Sequence, residues 1–336
     1  MTGATGFLGT NVVLELLERG HEVVAFGLPG STTKYVERPG VEVALGDACE
    51  RGDVDRAIEG CDAVIHVAGD TSFWKKRFER QRRTNVEGPR VVCEAALAAG
   101  VRRVVHTSTV DALGYDPAGG LVDEEWDHFN YAGIGYNYAE TKREGERVAL
   151  SFYDRGLEVV VINPGSMIGP WDHTLQFGRL FLDLKEGKVP GIPPGGAPWA
   201  HVAEVAKAHV AALDLGRPGE RYITGGVNAS YAEVFAEIAR TVGAQPPKRV
   251  FPRWFMVFYG YCSEFWAHFT KRHPEMNPGM ARYMSAFPKY SSAKAERELG
   301  FKCLPLEQMV RDAAEWYFEH GFLERPEGAE AHDRPE

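Results

Sequence analysis

A tyrosine and a lysine stand four residues apart in the segment YNYAETKREGE, as Tyr138 and Lys142. On a helix this spacing places both side chains on one face. An unperturbed phenol has a pKa of about 10, which is too high for a base at neutral pH, and a lysine ammonium one turn away would lower it. The pair therefore predicts an acid–base centre, although the same spacing also occurs by chance in exposed helix pairs.

A predicted strand with hydroxyl groups at its end precedes this pair. The segment RRVVHTST, Arg102 to Thr109, ends about 30 residues before Tyr138 and closes on Thr107, Ser108 and Thr109. This order suits a hydroxyl partner that would orient a substrate oxygen towards the phenol.

The chain begins with TGATGFLG, in which Gly3, Gly6 and Gly9 are spaced as GxxGxxG. Glycine suits a tight turn, a close approach of the backbone to a pyrophosphate, and close packing of the following helix. The next segment, NVVLELLERG, has helical spacing, and the N–H groups at its start would face phosphates. We therefore predict dinucleotide binding. The positive charge of an oxidised nicotinamide would then act with Lys142 on Tyr138.

Strand-like and helix-like segments alternate through the first half of the chain, which predicts a parallel sheet covered on both faces. The predicted fold class is α/β, a Rossmann-type doubly wound parallel sheet with a smaller C-terminal substrate lobe. We expect a dinucleotide-binding domain over 1–170, to which the region 205–226 returns, a substrate lobe over 171–322, and a disordered tail over 323–336. The predicted strands are His21–Gly27, Val41–Asp47, Asp62–Gly69, Arg102–Thr109, Leu157–Gly165 and Arg221–Gly226.

The composition, 44% hydrophobic and 25% charged, is that of a soluble globular protein. The net charge of −9 argues against non-specific binding to nucleic acid. We interpret the basic run KKRFERQRR, Lys75 to Arg83, as a solvated helix face rather than a binding patch. The five cysteines form no CxxC pair, so we expect reduced thiols and a cytoplasmic protein. No run reaches the roughly 18 apolar residues of a membrane span.

No spacing of His, Cys, Asp and Glu side chains resembles a metal site, so no metal is expected. His66 falls in a predicted buried strand and is expected to be a structural, hydrogen-bonded histidine.

Taken together, these segments resemble the extended short-chain dehydrogenases/reductases of the NAD-dependent epimerase/dehydratase family. The similarity is greatest to the branch of dihydroflavonol 4-reductase, 3β-hydroxysteroid dehydrogenase and the hopanoid-associated epimerase. It covers about residues 1–322 and is specific for the superfamily but not for a substrate. The matching segments are TGATGFLG, GD (46–47), HVAG (66–69), TNVEG (84–88), TST (107–109), YAETK, INPGSMIGP (162–170) and the C-terminal ELGF and PLEQMVRDAAEWYFEHGF.

The resemblance implies roles for individual positions. Tyr138 would be the general acid/base, and Lys142 would bind the nicotinamide ribose and tune Tyr138. Thr109, with Ser108 as the alternative, would orient the substrate oxygen, and Phe73 and Trp74 would contact the substrate. The family's usual second alanine in HxAA is Gly69 here, which keeps the backbone role. The expected cofactor contacts are Gly3, Thr5, Gly6, Phe7, Leu8, Gly9, Asp47, Ala48, Ala68, Gly69, Tyr138, Lys142, Pro164, Gly165 and Ser166.

The choice between NAD and NADP is usually made at the end of the second strand, where an acid accepts ribose hydroxyls or an arginine accepts the 2′-phosphate. Gly27 and Leu28 occupy that place. Lys34 or Arg38 would have to reach a phosphate, while Ser31 and the neighbouring threonines would hydrogen-bond. The missing acid favours NADP slightly, and both cofactors stay open.

The first hypothesis for function is an NAD(P)-dependent oxidoreductase acting on an alcohol or carbonyl group of a lipophilic or aromatic small molecule. A sugar-nucleotide epimerase or dehydratase is the alternative, and a dinucleotide-binding sensor without turnover is the third. A homodimer is expected. The aromatic segment Phe251–Phe269 would line an apolar pocket, or else form packed core, a dimer surface or a membrane-facing surface.

The strand that should precede the glycine loop is almost absent, because Met1 and Thr2 alone come before Gly3. In a doubly wound sheet this strand is central and normally about five or six residues long. We therefore expect the first strand to be truncated relative to the functional protein. The alternative is that another segment supplies it.

Overall fold

The computed structural model describes residues 1–72, 75–270, 274 and 276–326. Its strands, in chain order, are β1 (Val23–Gly27), β2 (Val41–Leu45), β3 (Ala63–His66), β4 (Arg103–Thr107), β5 (Leu121–Val122), β6 (Glu158–Pro164), β7 (Ser166–Ile168), β8 (Gly196–His201), β9 (Arg221–Thr224), β10 (Val227–Ser230) and β11 (Lys289–Tyr290).

The helices alternate with the strands in the first half and dominate the second half. In chain order they are α1 (Phe7–Glu18), α2 (Arg51–Ile58), α3 (Phe78–Arg82), α4 (Gly88–Ala98), α5 (Asn137–Leu150), α6 (Gly178–Lys185), α7 (Val202–Ala211), α8 (Tyr231–Thr241), α9 (Arg253–Thr270), α10 (Pro278–Tyr283), α11 (Ala293–Leu299) and α12 (Leu306–Glu319). A short π-helix, Arg83–Glu87, joins α3 to α4.

The main sheet is parallel throughout and has helices on both faces. Its order is β2–β1, then the residues before the glycine loop, then β3–β4–β6–β9. Strand β4 is buried along its whole length, as expected for a strand covered on both sides. Helices α1 and α7 pack on one face, and α2 and α4 belong to the core of the other. The predicted Rossmann-type doubly wound sheet is confirmed.

Met1 and Thr2 occupy the central place in this sheet. The Thr2 N–H donates to the carbonyl oxygen of Ile65 at 3.0 Å, and the Phe26 N–H donates to that of Met1 at 2.8 Å. Thr2 thus bridges β1 and β3, and no other segment of the described chain pairs between them. The glycine loop therefore leaves the sheet at its carboxyl edge, where the strand order reverses.

The C-terminal lobe has its own core beneath a small sheet, ordered β10–β8–β7. Trp199, Phe181 and Trp316 are fully buried there between α6, α8 and α12. Strand β9 lies in the predicted returning region and pairs in parallel with β6 of the main sheet.

The packed chain continues past residue 322, where the sequence predicted a disordered tail. Leu323 packs against the core of the lobe, and Arg325 forms an ion pair with Glu315. Residues 327–336 lie outside the described part of the chain.

A tight loop after β7 is organised by one buried carboxylate. Asp172 accepts hydrogen bonds from the backbone N–H groups of residues 176–178 at 2.7–2.9 Å and from the Tyr317 hydroxyl at 3.1 Å. Trp171 and Leu175 adopt positive φ angles of 71° and 54° on either side. The carboxylate therefore satisfies the N–H groups at the start of α6 that have no partner within the helix.

The same loop contacts the glycine loop. One His173 ring nitrogen lies 3.1 Å from the carbonyl oxygen of Thr5, and Tyr35 stacks on the His173 ring at 4.4 Å. The lobe is thus tied to the start of α1 by the residue that follows Asp172.

Replacing Asp172 with alanine is expected to lower the free energy of unfolding by about 2–4 kcal/mol, since several buried N–H groups lose their acceptor. Urea denaturation measures the loss. Asp172→Asn should recover part of it, because the amide keeps one acceptor oxygen. The control is Asp183→Ala on the same helix, which removes an ion pair with exposed Arg179 and should cost less than about 1 kcal/mol. Equal losses for Asp172→Ala and Asp183→Ala would contradict this role.

Candidate active site

A cavity of about 610 Å³ opens at the carboxyl edge of the main sheet, around the point where the strand order reverses. Almost all of the predicted site residues line it. They are Gly3, Thr5, Gly6, Phe7, Leu8, Gly9, Asp47, Ala48, Ala68, Gly69, Ser108, Thr109, Tyr138, Lys142, Pro164 and Gly165.

Three predicted residues are not placed in this lining. Ser166 begins β7 and is not among the lining residues, although its neighbours Gly165 and Met167 are. Phe73 and Trp74 lie outside the described residues.

The three loop glycines meet different constraints. A Cβ on Gly3, where φ is +69°, would lie 2.6 Å from the Ala68 nitrogen, and one on Gly9 would lie 2.0 Å from the Gly3 oxygen. Gly6 has an ordinary φ of −89°, and its Cβ would approach nothing closer than 3.4 Å. The protein itself therefore requires Gly3 and Gly9, whereas Gly6 leaves space on the cavity side.

Gly6 is also the N-cap of α1, and no side chain caps that end. The first N–H groups of a helix have no intrahelical partner and carry partial positive charge. An uncapped helix start beside open space fits a phosphate group. The residues present therefore fit the pyrophosphate of a dinucleotide.

One arginine that lines the cavity is held by two carboxylates. Arg83 donates to the carboxylates of Asp47 and Glu50, both at 2.7 Å, and the Cys49 N–H donates to Asp47 at 2.9 Å. Partial burial would raise the pKa of Asp47, but the hydrogen bonds from Cys49 and Arg83 outweigh it, and the net shift is downward. Asp47 is thus held as an anion with a fixed orientation.

The part of the cavity beside Gly27 and Leu28 contains neither Lys34 nor Arg38, the two candidates for binding a 2′-phosphate. Lys34 lies over the Tyr35 ring and Arg38 over the Trp171 ring, at 5.5 and 5.2 Å, and neither lines the cavity. The lining corner is formed by neutral groups, with the Ser31 hydroxyl accepting from Thr5 at 3.1 Å.

The basic run Lys75–Arg83 was interpreted as a solvated helix face, and the side chains of Arg80, Arg82 and Arg83 are 65%, 40% and 45% exposed. Arg80 and Arg83 line the cavity, where Arg80 pairs with Asp70 at 3.2 Å. Arg82 pairs with Glu144. Two exposed arginines of the run thus border the cavity, and helical spacing alone does not reveal that.

The reactive groups meet at the end of β4 and the start of α5. The Thr109 hydroxyl lies beside the Tyr138 phenol. The Lys142 ammonium donates to the carbonyl oxygen of Thr107 at 2.7 Å and lies 3.7 Å from where a Cβ on Gly69 would stand. Burial lowers the pKa of Lys142 to about 8, against the opposing effect of Glu146.

The pKa of Tyr138 differs from the sequence-based expectation. Burial raises it well above the ordinary value, the Asp111 charge raises it further, and the hydrogen bond from Thr109 lowers it. Lys142 does not offset this, since its ammonium is directed to Thr107 and Gly69. Without a bound nicotinamide, Tyr138 is therefore a protonated phenol.

A buried carboxylate that the sequence did not single out lies beside this centre. Asp111 is 4% exposed and accepts a hydrogen bond from the Tyr136 hydroxyl at 2.9 Å and another from Tyr283. The two tyrosine rings stack at 4.6 Å. Burial raises the pKa of Asp111 to about 6, although both hydrogen bonds lower it.

Other buried polar groups support the site without entering it. Asn85 bridges two segments, donating to the Asp70 carbonyl oxygen at 2.9 Å and to the Thr141 hydroxyl at 3.1 Å. His66 is buried and shares a 2.6 Å hydrogen bond with Thr2, as predicted for a structural histidine. In the described part of the chain, no three His, Cys, Asp or Glu side chains are grouped to hold a metal ion.

Comparison with known proteins agrees with this geometry. The family model of the NAD dependent epimerase/dehydratase family matches residues 1–225. A putative dihydroflavonol 4-reductase of Synechocystis is 30% identical over 96% of this chain and 95% of its own length. Sterol demethylase protein B of Methylococcus capsulatus is 31% identical over 96% of this chain and 99% of its own length. The crystal structure of gox2253 superposes with a TM-score of 0.82 at 31% identity, covering 96% of this chain and 98% of its own.

The fold and the site define a dinucleotide-dependent enzyme of the Rossmann type. The chain belongs to the NAD-dependent epimerase/dehydratase family, within the extended short-chain dehydrogenases/reductases. Its cofactor is NAD or NADP.

Gly6→Ala and Gly9→Ala should separate binding from folding. Gly6→Ala is expected to change the free energy of unfolding by about 1 kcal/mol or less but to weaken NAD(H) and NADP(H) binding at least about tenfold, because its methyl enters the phosphate space. Gly9→Ala should destabilise the fold by about 3 kcal/mol or more through its clash with Gly3. Thermal unfolding and fluorescence titration measure the two effects. Wild-type dinucleotide affinity in a folded Gly6→Ala variant would refute the assignment.

Asp111 should impose an unusual pH dependence on stability. Its folded pKa of about 6 lies above its ordinary value of 3.8, so its stabilising contribution is present below about pH 4 and is lost as pH rises through about 6. The shift corresponds to about 3 kcal/mol. Asp111→Asn should remove this dependence, so that the variant gains stability relative to wild type at pH 7.5 but not at pH 4. Urea denaturation at both pH values tests it, with exposed Asp127→Asn as the control. A constant difference between Asp111→Asn and wild type across this range would show that Asp111 does not titrate as described.

Proposed function

We propose that this protein is an NAD(P)-dependent oxidoreductase that reduces a carbonyl group, or oxidises the corresponding alcohol, on a lipophilic or aromatic small molecule. The observation that carries the proposal is that Thr109 and the partly buried Tyr138 lie side by side in the same cavity as the glycine loop. A phenol and a hydroxyl beside a nicotinamide site are the groups that carbonyl–alcohol chemistry needs.

NAD(P)H supplies the hydride when it is bound. Lys142 would hold the nicotinamide ribose, since its ammonium lies beside Gly69 and is fixed by Thr107. Thr109 would hydrogen-bond the substrate oxygen and hold it against the Tyr138 hydroxyl. Tyr138 would donate its proton to that oxygen in reduction and accept it in oxidation. Asp47, clamped by Arg83, would contact the adenosine end.

In the free protein, the raised pKa of Tyr138 leaves the phenol in the protonated form that reduction requires. A phenol that keeps its proton at neutral pH acts as an acid towards a carbonyl oxygen. For oxidation, the positive charge of the oxidised nicotinamide would have to lower this pKa first.

The surroundings of Tyr138 favour an apolar substrate. Tyr131, Tyr136 and Tyr283 pack with Tyr138 in one cluster, and Met167 lines the cavity. Aromatic and thioether side chains bind apolar rings well. The two relatives above are named for a dihydroflavonol and a sterol, and neither is named for a sugar nucleotide.

The compartment and the oligomeric state are part of the same proposal. All five cysteines are free thiols in the structure, which suits the reducing cytoplasm. A homodimer is expected. Sedimentation equilibrium should give about twice the chain mass of 37.2 kDa, and a species of one chain mass would contradict the dimer.

Tyr138→Phe should lower kcat by about 10²–10⁴-fold and leave dinucleotide affinity nearly unchanged, because it removes the transferable proton alone. The assay is NADH and NADPH oxidation with ketosteroids, aromatic aldehydes and a UDP-sugar. More than a tenth of wild-type kcat in the variant would exclude Tyr138 as the acid. Conversion of the UDP-sugar alone would instead support a sugar-nucleotide epimerase or dehydratase.

Lys142→Met should weaken cofactor binding as well as turnover, because it removes the group beside the ribose. It should also move the acidic limb of the pH–rate profile for alcohol oxidation upward, because the Tyr138 phenol, which Lys142 does not influence in the free protein, would lose a nearby positive charge in the complex with the cofactor. Lys207→Met, on the exposed side of α7, is the control. An unchanged profile and unchanged cofactor affinity would exclude both roles.

A further inference from the structure

Helix α9 carries its large apolar side chains on the side that faces away from the protein. The buried positions are Met256, Gly260 and Ala267. Six rings on the remaining surface are between 54% and 70% exposed: Trp254, Phe258, Tyr261, Phe265, Trp266 and Phe269. A surface helix normally has the opposite arrangement, with its polar side chains in solvent.

The exposed aromatic face is large for a soluble chain. Six rings of roughly 200 Å² each, exposed by about 60%, present about 700 Å² of mostly apolar surface. The largest apolar patch on a typical monomer is about 300–600 Å² and is often functional.

The active-site cavity does not account for this surface. Its lining includes no residue of α9, so Trp254, Phe258 and Trp266 do not line the pocket that holds Tyr138. Nor does any helix in the described part of the chain have the length and apolarity to cross a membrane.

The surroundings of this helix are basic in an acidic protein. Residues 244–284 contain six lysines and arginines and two glutamates, a net charge of +4, whereas the whole chain carries −9. Lys248, Arg249 and Arg253 are all exposed and lie just before the helix or at its start.

We propose that α9, with the basic residues beside it, is a docking surface for an anionic lipid bilayer, in which the helix lies along the interface. Tryptophan, tyrosine and phenylalanine are the side chains that settle at the boundary of headgroups and acyl chains. Lysine and arginine beside them are attracted to anionic headgroups.

The charge distinguishes a bilayer from a second copy of this chain. A symmetric dimer through α9 would bring the same surface of two chains together. Each copy would contribute a basic segment of net charge +4, and like charges in an interface oppose association. An anionic bilayer complements both the aromatic rings and the charge.

The docking surface is connected to the active site by close packing. A Cβ on Gly260 would lie 2.9 Å from Asn277 and Pro278, at the start of α10. Tyr283, at the end of α10, stacks on Tyr136 beside the Tyr138 phenol. Docking would therefore bring the tyrosine cluster that packs against Tyr138 towards the bilayer, where an apolar substrate dissolves. This last step rests on the proposed function, whereas lipid binding does not.

The experiment is co-sedimentation of the full chain with vesicles of phosphatidylcholine alone and with 30% phosphatidylglycerol, about the anionic share that makes electrostatic attraction measurable. We expect binding to the anionic vesicles that weakens as salt rises. Brominated acyl chains in the same vesicles should quench tryptophan emission.

Two variants and one control locate the binding surface. Phe258→Ser with Phe265→Ser and Trp266→Ser should weaken vesicle binding at least about tenfold, and Lys248→Glu with Arg249→Glu should do so at low salt. The control, Leu45→Ser with Leu121→Ser and Leu215→Ser, changes three leucines that are 51–62% exposed elsewhere and should bind as wild type does. Because all these side chains are exposed, the variants should fold, and thermal unfolding checks that they do.

Absence of vesicle binding by the wild-type chain at low salt would overturn the proposal. Equal loss of vesicle binding in the leucine control would overturn it too. If wild type binds no lipid and the aromatic variant loses self-association, the face is instead assigned to a second copy of the chain. Turnover of a water-soluble carbonyl substrate should be the same in all variants. If no substrate is turned over but vesicle binding follows the expected pattern, the proposed function fails and the lipid surface stands.

Discussion

The active site depends on the contact between the start of α1 and the glycine loop. A Cβ on Gly9 would lie 2.0 Å from the Gly3 carbonyl oxygen, and one on Gly3 would lie 2.6 Å from the nitrogen of Ala68 after β3. These contacts set the direction of α1, whose uncapped N-terminus then faces the cavity. They also bring the loop beside the carboxyl ends of β3 and β4, from which the hydroxyl groups of Ser108 and Thr109 come.

A set of buried charged groups fixes the reactive end of the cavity. Glu146 accepts from Asn163 at 2.8 Å and pairs with Arg221 at 3.1 Å, which links α5 to β6 and β9. Lys142, one turn earlier, is held by the Thr107 carbonyl oxygen. A buried charge without a partner is costly, so these contacts leave Lys142 few alternative positions. The lysine is therefore placed before any cofactor binds.

The sequence predicted the fold, and it named residues that the structure brings together in one cavity, because both rest on short-range patterns. Strand–helix alternation follows from hydrophobic periodicity, and Gly3 and Gly9 stand where the backbone leaves no room for a side chain. The four-residue spacing of Tyr138 and Lys142 follows helical periodicity. The missed features depend on tertiary packing. Arg83 borders the cavity through its ion pairs with Asp47 and Glu50, and Asp111 matters because Tyr283, far away in the chain, hydrogen-bonds it. The raised pKa of Tyr138 likewise follows from burial, which the pattern did not encode.

The packing of α9 does not determine which residue types lie on its outer face. Helix α9 lies against α10, and α10 lies against the loop before α5, at distances that exclude side chains: a Cβ on Gly279 would lie 2.2 Å from the Gly135 oxygen. The inner face of α9 therefore admits Gly260 and Ala267 but no ring. Nothing in the fold requires rings on the outer face, where polar side chains would be more soluble. Aromatic side chains at six such positions thus reflect what the surface contacts rather than how the chain folds.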